Sequence, residues 1–159
     1  MEYFIGIFLG VSTPAVAQII GFDRSRNFYP VVLIVIASYY VLFAVGVESP
    51  LVLWSEVFIF GLFVLSAVIG FRYSLWVVVA GLIAHGLLDA VHDSIIQNSG
   101  VPHWWPGFCL GFDVAIGIYA AVRIIAGGTA RARVHSEVRA RLETDTSSGS
   151  ASARQPRND

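Results

Sequence analysis

Five uninterrupted apolar runs, each close to twenty residues long, leave this chain few ways to fold. A helix rises about 1.5 Å per residue, so roughly 20 apolar residues match the hydrocarbon thickness of a bilayer. The runs cover residues 3–20, 29–47, 51–70, 75–96 and 107–126. Polar or helix-breaking residues close each one. Asp23, Arg24, Ser25, Arg26 and Asn27 end the first, and Glu48, Ser49 and Pro50 end the second. A short turn with Arg72 and Ser74 follows the third. Segment 97–106, with Asn98, Gly100, Pro102 and Pro106, is too rich in breakers to be helical. Gly127 and Gly128 stop the fifth.

Composition agrees. Of 159 residues, 56% are hydrophobic and only 13% charged, and the mean hydropathy is +0.71. A soluble domain carries about 25% charge, so soluble globular, disordered and coiled-coil classes are excluded. The expected fold is all-α, an integral membrane bundle of five transmembrane helices. A net charge of −1 argues against a nucleic-acid partner. The single cysteine, Cys109, excludes an internal disulfide.

Arginine placement sets the expected orientation. Arg24 and Arg26 lie in the first loop, Arg72 in the third, and Arg123, Arg131, Arg133, Arg139 and Arg141 at or after the last run. The second and fourth loops have none. With five spans, all these arginines fall on one face, which the positive-inside rule makes cytoplasmic. The N-terminus is then outside and the C-terminus inside. Trp54, Trp104 and Trp105 mark the outer boundary and Trp76 the inner one. Ala15-Val16-Ala17 has the form of a signal-peptide cleavage site, but Met1-Glu2 is an acidic lead, and cleavage would strand Arg24 and Arg26 outside. The first run is therefore read as a retained span.

Residues 1–128 form the expected transmembrane domain, and 129–159 an Arg-rich, largely disordered cytoplasmic tail. Segment 129–142 fits either a solvated, topology-fixing tail or a short helix drawn to anionic headgroups. From Glu143 onward no core can form. Gly6/Gly10 and Gly107/Gly111 have the small-residue spacing of close helix contacts.

The informative residues are the ionisable ones inside the apolar runs: Glu56, His85, Asp89, His92, Asp93 and Asp113. One acid at a membrane-helix centre costs about 2.5–3.5 kcal/mol on insertion scales, so such residues mark function by default. His85, Asp89 and His92 are spaced i, i+4, i+7, which places them within roughly 60° of one another around a helix. Asp93 falls at the edge of that stripe. Measured from the outer boundary at about 1.5 Å per residue, Glu56, Asp89, His92 and Asp113 lie roughly 6–10 Å deep and His85 roughly 16 Å. Three helices thus place polar groups in one layer, which points to a single site.

Two chemistries fit. Glu56, Asp89, His92 and Asp113 could hold a divalent metal, with His85 and Asp89 in catalytic roles. Mixed His and carboxylate sets suit Zn, Fe or Mn. Without a metal, the same groups would share protons, as in a relay or in acid/base catalysis. Glu56 could also snorkel to the interface, and a membrane His is often hydrogen-bond glue. The loop 101–109 is either a rigid interfacial anchor or a lid, with Asp93, His103 and Cys109 supporting the site. Tyr39 and Tyr40 could donate into the cavity.

His85-x3-Asp89-x2-His92-Asp93, a Pro-containing loop and Cys109-x3-Asp113 resemble an uncharacterised family of small bacterial multi-pass membrane proteins. That family's motif reads His-x3-Asp-x2-His-His, with a proline-rich loop and a Cys four residues before an Asp. Here Asp93 stands at the second position of the His pair, and the loop is rich in Trp. The resemblance covers about 30 residues, implies a location in the bacterial inner membrane, and brings no activity. The expectation is a membrane-embedded, metal-dependent enzyme acting from the outer leaflet on a lipid-like or apolar substrate, by hydrolysis or oxidation. The alternatives are a non-catalytic membrane subunit or a proton- or ion-translocating protein using the same stripe. Lipids are the expected partners, and a homo-oligomer or a membrane-protein partner is compatible with the sequence.

Overall fold

The computed structural model describes residues 1–22, 26–47 and 49–127. All regular structure among them is helical: α1 (Glu2–Ile19), α2 (Phe28–Val45), α3 (Pro50–Arg72), α4 (Leu75–Ile95) and α5 (Trp105–Gly127). Each is long and apolar enough to cross a membrane, as the sequence leads one to expect of a multi-pass membrane protein. Arg24, Glu48 and the tail 129–159 lie outside the described residues. The chain divides into two compact units, Met1–Val122 and Arg123–Asp159; the packing described below is that of the first.

Two helix starts differ from expectation, and proline explains both. The helix α5 begins at Trp105 and takes in Pro106, although 97–106 reads as non-helical. Likewise α3 begins at Pro50 rather than after it. A first-turn amide has no intrahelical acceptor, so proline's missing N–H costs nothing there, and its fixed φ already suits a helix. Ser49 caps α3, its Oγ accepting from the Val52 N–H at 3.5 Å.

Helix pairing follows from small residues. α1 runs parallel to α5: a Cβ on Gly6 would strike the backbone of Phe108 and Phe112, and one on Gly10 would strike Phe112 and Ala115. Gly111 lies against Tyr3 and Ile7, and Gly107 against Glu2 and Tyr3. The two glycine pairs read from the sequence are therefore each other's partners. Apolar side chains gain little from leaving lipid for another helix, so close backbone approach carries the association. α2, α3 and α4 pack on one another, with Gly70 against Val78 and Gly81 against Leu33 and Ser66. Gly86 and Gly117 then let α5 approach α4, at Asp113 and at Ile83 respectively.

Exposure follows the bilayer requirement. Most of α3 faces outward, and its only buried residues are Glu56, Ala67 and Gly70. Phe58, Leu62 and Leu65 are more than half exposed, as lipid-facing residues should be.

The glycine contacts generate a direct test. Gly10→Leu should destabilise the protein by about 1–3 kcal/mol through overpacking, read by SDS titration of the purified protein. Gly61→Leu, which meets nothing within 4 Å, should leave the midpoint unchanged. Equal effects at the two sites would refute the α1–α5 contact.

Candidate metal centre

The site grows from the polar stripe of α4. Its face periodicity places His85, Asp89 and His92 inward, and all three are buried, whereas Asp93 is exposed. α5 adds Asp113 and α3 adds Glu56, both at most 1% exposed. The approach of α5 depends on Gly86, where an added Cβ would come within 3.1 Å of the Asp113 Cβ.

These residues form two adjacent clusters. In the first, His85 Nδ1 lies 2.6 Å from Asp113 Oδ2 and 3.4 Å from Asp89 Oδ2. A ring nitrogen can share only one proton, and the short contact of this one goes to Asp113. Asp89 is left with no hydrogen bond at either oxygen, and Asp113 with none at Oδ1. One ligand atom from each of His85, Asp89 and Asp113 lies within 4.8 Å of the others. Three carboxylate oxygens buried without donors are costly in a low-dielectric interior, and a bound cation is the kind of group that would offset them. Phe63 of α3 closes the far side, edge-on to the His85 ring at a centroid distance of 4.8 Å.

In the second cluster the polar atoms partner one another. His92 Nε2 lies 3.0 Å from Glu56 Oε1. The Asn98 amide donates to the same oxygen at 2.9 Å and to the Tyr40 carbonyl at 3.2 Å. The Asn98 Oδ1 accepts from the Gly100 N–H at 3.1 Å, which fastens the loop to the site. Tyr40 joins the clusters: its ring stacks on His92 at 4.1 Å and lies 6.1 Å from His85. Its hydroxyl is within electrostatic range of Asp89.

The residues proposed from sequence as ligands are thus divided. Asp89 and Asp113 meet His85, while Glu56 and His92 meet each other and Asn98. Cys109, one turn before Asp113, is buried within electrostatic range of Asp89 and Asp113. His103 is exposed. With His92, Asp93 and Asn98 it lines a pocket of about 590 Å³ between the end of α4 and the loop.

From the sequence Asn98 reads only as a loop residue, and Phe63 is not singled out at all. An Asn next to Ser99-Gly100 has the signature of a turn, and nothing in its type or spacing marks it as buried. Phe63 is one apolar residue in an apolar run, so no sequence signal separates it from its neighbours.

No protein-family model, no curated protein and no solved structure matches the chain. The family resemblance accordingly rests on the motif between His85 and Asp113.

Asn98→Ala should lower stability by about 1–3 kcal/mol, because Glu56 loses a donor and the Tyr40 carbonyl loses its side-chain partner. Ser99→Ala, at an exposed neighbour, should stay within about 0.5 kcal/mol of wild type. Thermal melts in detergent distinguish the two, and a neutral Asn98→Ala would remove Asn98 from the site.

Proposed function

We propose that this protein is a membrane-embedded, metal-dependent hydrolase acting on a lipid-like substrate from the outer leaflet. His85, Asp89 and Asp113 would be the ligands of one divalent ion. The observation that carries this reading is the group of three buried ligand atoms within 4.8 Å, whose carboxylates keep three oxygens without donors. Two carboxylates and one imidazole suit Zn, Fe or Mn. To bind through Nδ1, His85 would give up the proton it now shares with Asp113, as metal binding requires.

Catalysis is favoured over a purely structural ion by the ligand count. Closed structural sites use four protein ligands, and three leave a position for water. An ion held there would supply Lewis-acid activation of water for attack on an ester or phosphoester, with His85, Asp89 and Asp113 holding it. Hydrolysis by one ion is preferred to oxidation at a carboxylate-bridged pair because Glu56 and His92 direct their facing atoms at each other. These two residues and Asn98 then act as positioning residues that hold α3 and the loop against α4.

The arginine distribution supports an orientation with the loop 97–104 on the outer side of the cell membrane, in a bacterium the inner membrane. One observation favours a second reading. The 2.6 Å His85–Asp113 contact also suits a proton-sharing dyad in a proton-translocating protein or a non-catalytic subunit.

Elemental analysis of the detergent-purified protein decides between them. Near-stoichiometric Zn, Fe or Mn is expected in wild type and in Glu56→Gln. Asp89→Asn and Asp113→Asn should weaken binding by at least the roughly 10–100-fold that loss of a supporting group costs at metal sites. Lipid vesicles incubated with loaded wild type, and not with Asp89→Asn, should accumulate hydrolysis products detectable by mass spectrometry. A folded wild type that takes up no metal after supplementation would overturn the metal reading and leave the proton dyad.

A further inference from the structure

A cavity of about 780 Å³ lies outside the two polar clusters, between α1, α2 and α5. Its walls run from Glu2 to Thr13 on α1, from Val31 to Tyr39 on α2, and from Trp105 to Phe112 on α5. It exists because α1 is drawn to α5 by the glycine contacts at Gly6 and Gly10, which leaves a gap on the side of α2. Ile5, Val31 and Val35 on its rim are about half exposed, so the cavity opens sideways, toward the lipid.

We infer that this trough binds one hydrocarbon chain of a membrane lipid and presents the end of that chain to the His85–Asp89–Asp113 site. The inference rests on the hydrolase reading for the reacting end, but the trough itself stands on separate observations.

Size suits the occupant. The α1 wall from Glu2 to Thr13 spans roughly 16 Å at helical rise, the length of an extended hydrocarbon chain of about a dozen carbons, and the cavity volume of about 780 Å³ lies within the roughly 300–1,000 Å³ common for small-molecule sites.

Chemistry points the same way. The walls are aliphatic and aromatic for most of their length, with Glu2 and Trp105 at the loop end and Thr13 at the other. At the loop end the buried indole Nε1 of Trp105 has no hydrogen-bond partner, while the ring packs tilted or edge-on against Tyr39, Phe43, Trp104 and Phe108. An indole N–H beside an apolar trough is placed to donate to an ester or headgroup oxygen. Cys109 connects the two regions: it lines the trough and is within electrostatic range of Asp89 and Asp113.

The test uses palmitic acid carrying a mid-chain diazirine, mixed into phosphatidylcholine nanodiscs holding the full chain, with adducts located by mass spectrometry after illumination. Adducts are expected on residues 31–39 and 108–112 in clear excess over Phe58 and Leu62, which are at least as open to lipid. Val32→Trp should cut trough labelling about tenfold, the effect of a clash of roughly 1.4 kcal/mol. Ile5→Trp, at a half-exposed rim position, should do the same without loading the core. Labelling that follows exposure alone on every helix, or that survives both Trp variants, would overturn the proposal. Metal content is measured on the same samples. Trough adducts in a metal-free protein would overturn the hydrolase reading alone, and bound metal with uniform labelling would overturn the trough alone.

Discussion

An acid buried in a membrane bundle must find a hydrogen-bond donor or a cation, and that requirement organises this structure. Glu56 shows the first solution. α3 contributes only three buried residues, and the glutamate is the one whose side chain reaches polar partners, His92 and Asn98. Gly70 against Val78 holds one end of the helix and Glu56 the other. Breaking such a buried pair strands the remaining group without a partner, which costs far more than an exposed pair would. Glu56 is therefore accounted for as a fastening.

Asp89 and Asp113 are not accounted for in that way. They meet one imidazole nitrogen with four carboxyl oxygens between them, and three of those oxygens have no hydrogen-bond partner. Helix packing does not require this. α4 and α5 already meet at glycines, Gly86 and Gly117, and could close with apolar side chains at both acid positions. A fastening leaves its polar groups satisfied, whereas a site keeps valence in reserve for what it binds. That contrast separates the two clusters more sharply than their shared depth in the membrane does.

The sequence carried much of this and stopped for identifiable reasons. Spans follow from apolar runs, because in hydrocarbon a backbone must satisfy itself within a helix. Spacing placed His85, Asp89 and His92 on one inward face and set Asp93 at its edge, where it is exposed. The depth estimate located one polar layer but could not assign partners within it. His85 was expected several ångströms deeper than Asp113, yet the two are in contact. The first-turn position of Pro106 starts α5 earlier than a breaker-rich segment suggests, which lowers Asp113 relative to the start of its helix. Asn98 was illegible for a different reason. A loop residue acquires a buried role only when tertiary packing folds the loop back, and no periodicity records that.

Two environments approach the unsatisfied carboxylates from different sides. The polar pocket under the loop reaches His92 and Asn98, while the apolar trough reaches Cys109. A hydrolase of membrane-dissolved molecules faces a solubility conflict, because its water and its substrate do not share a phase. Separate approaches would resolve the conflict. Tyr40 ties together the residues between them: its ring covers His92, its carbonyl holds Asn98, and its hydroxyl is within range of Asp89, so one side chain braces both polar clusters.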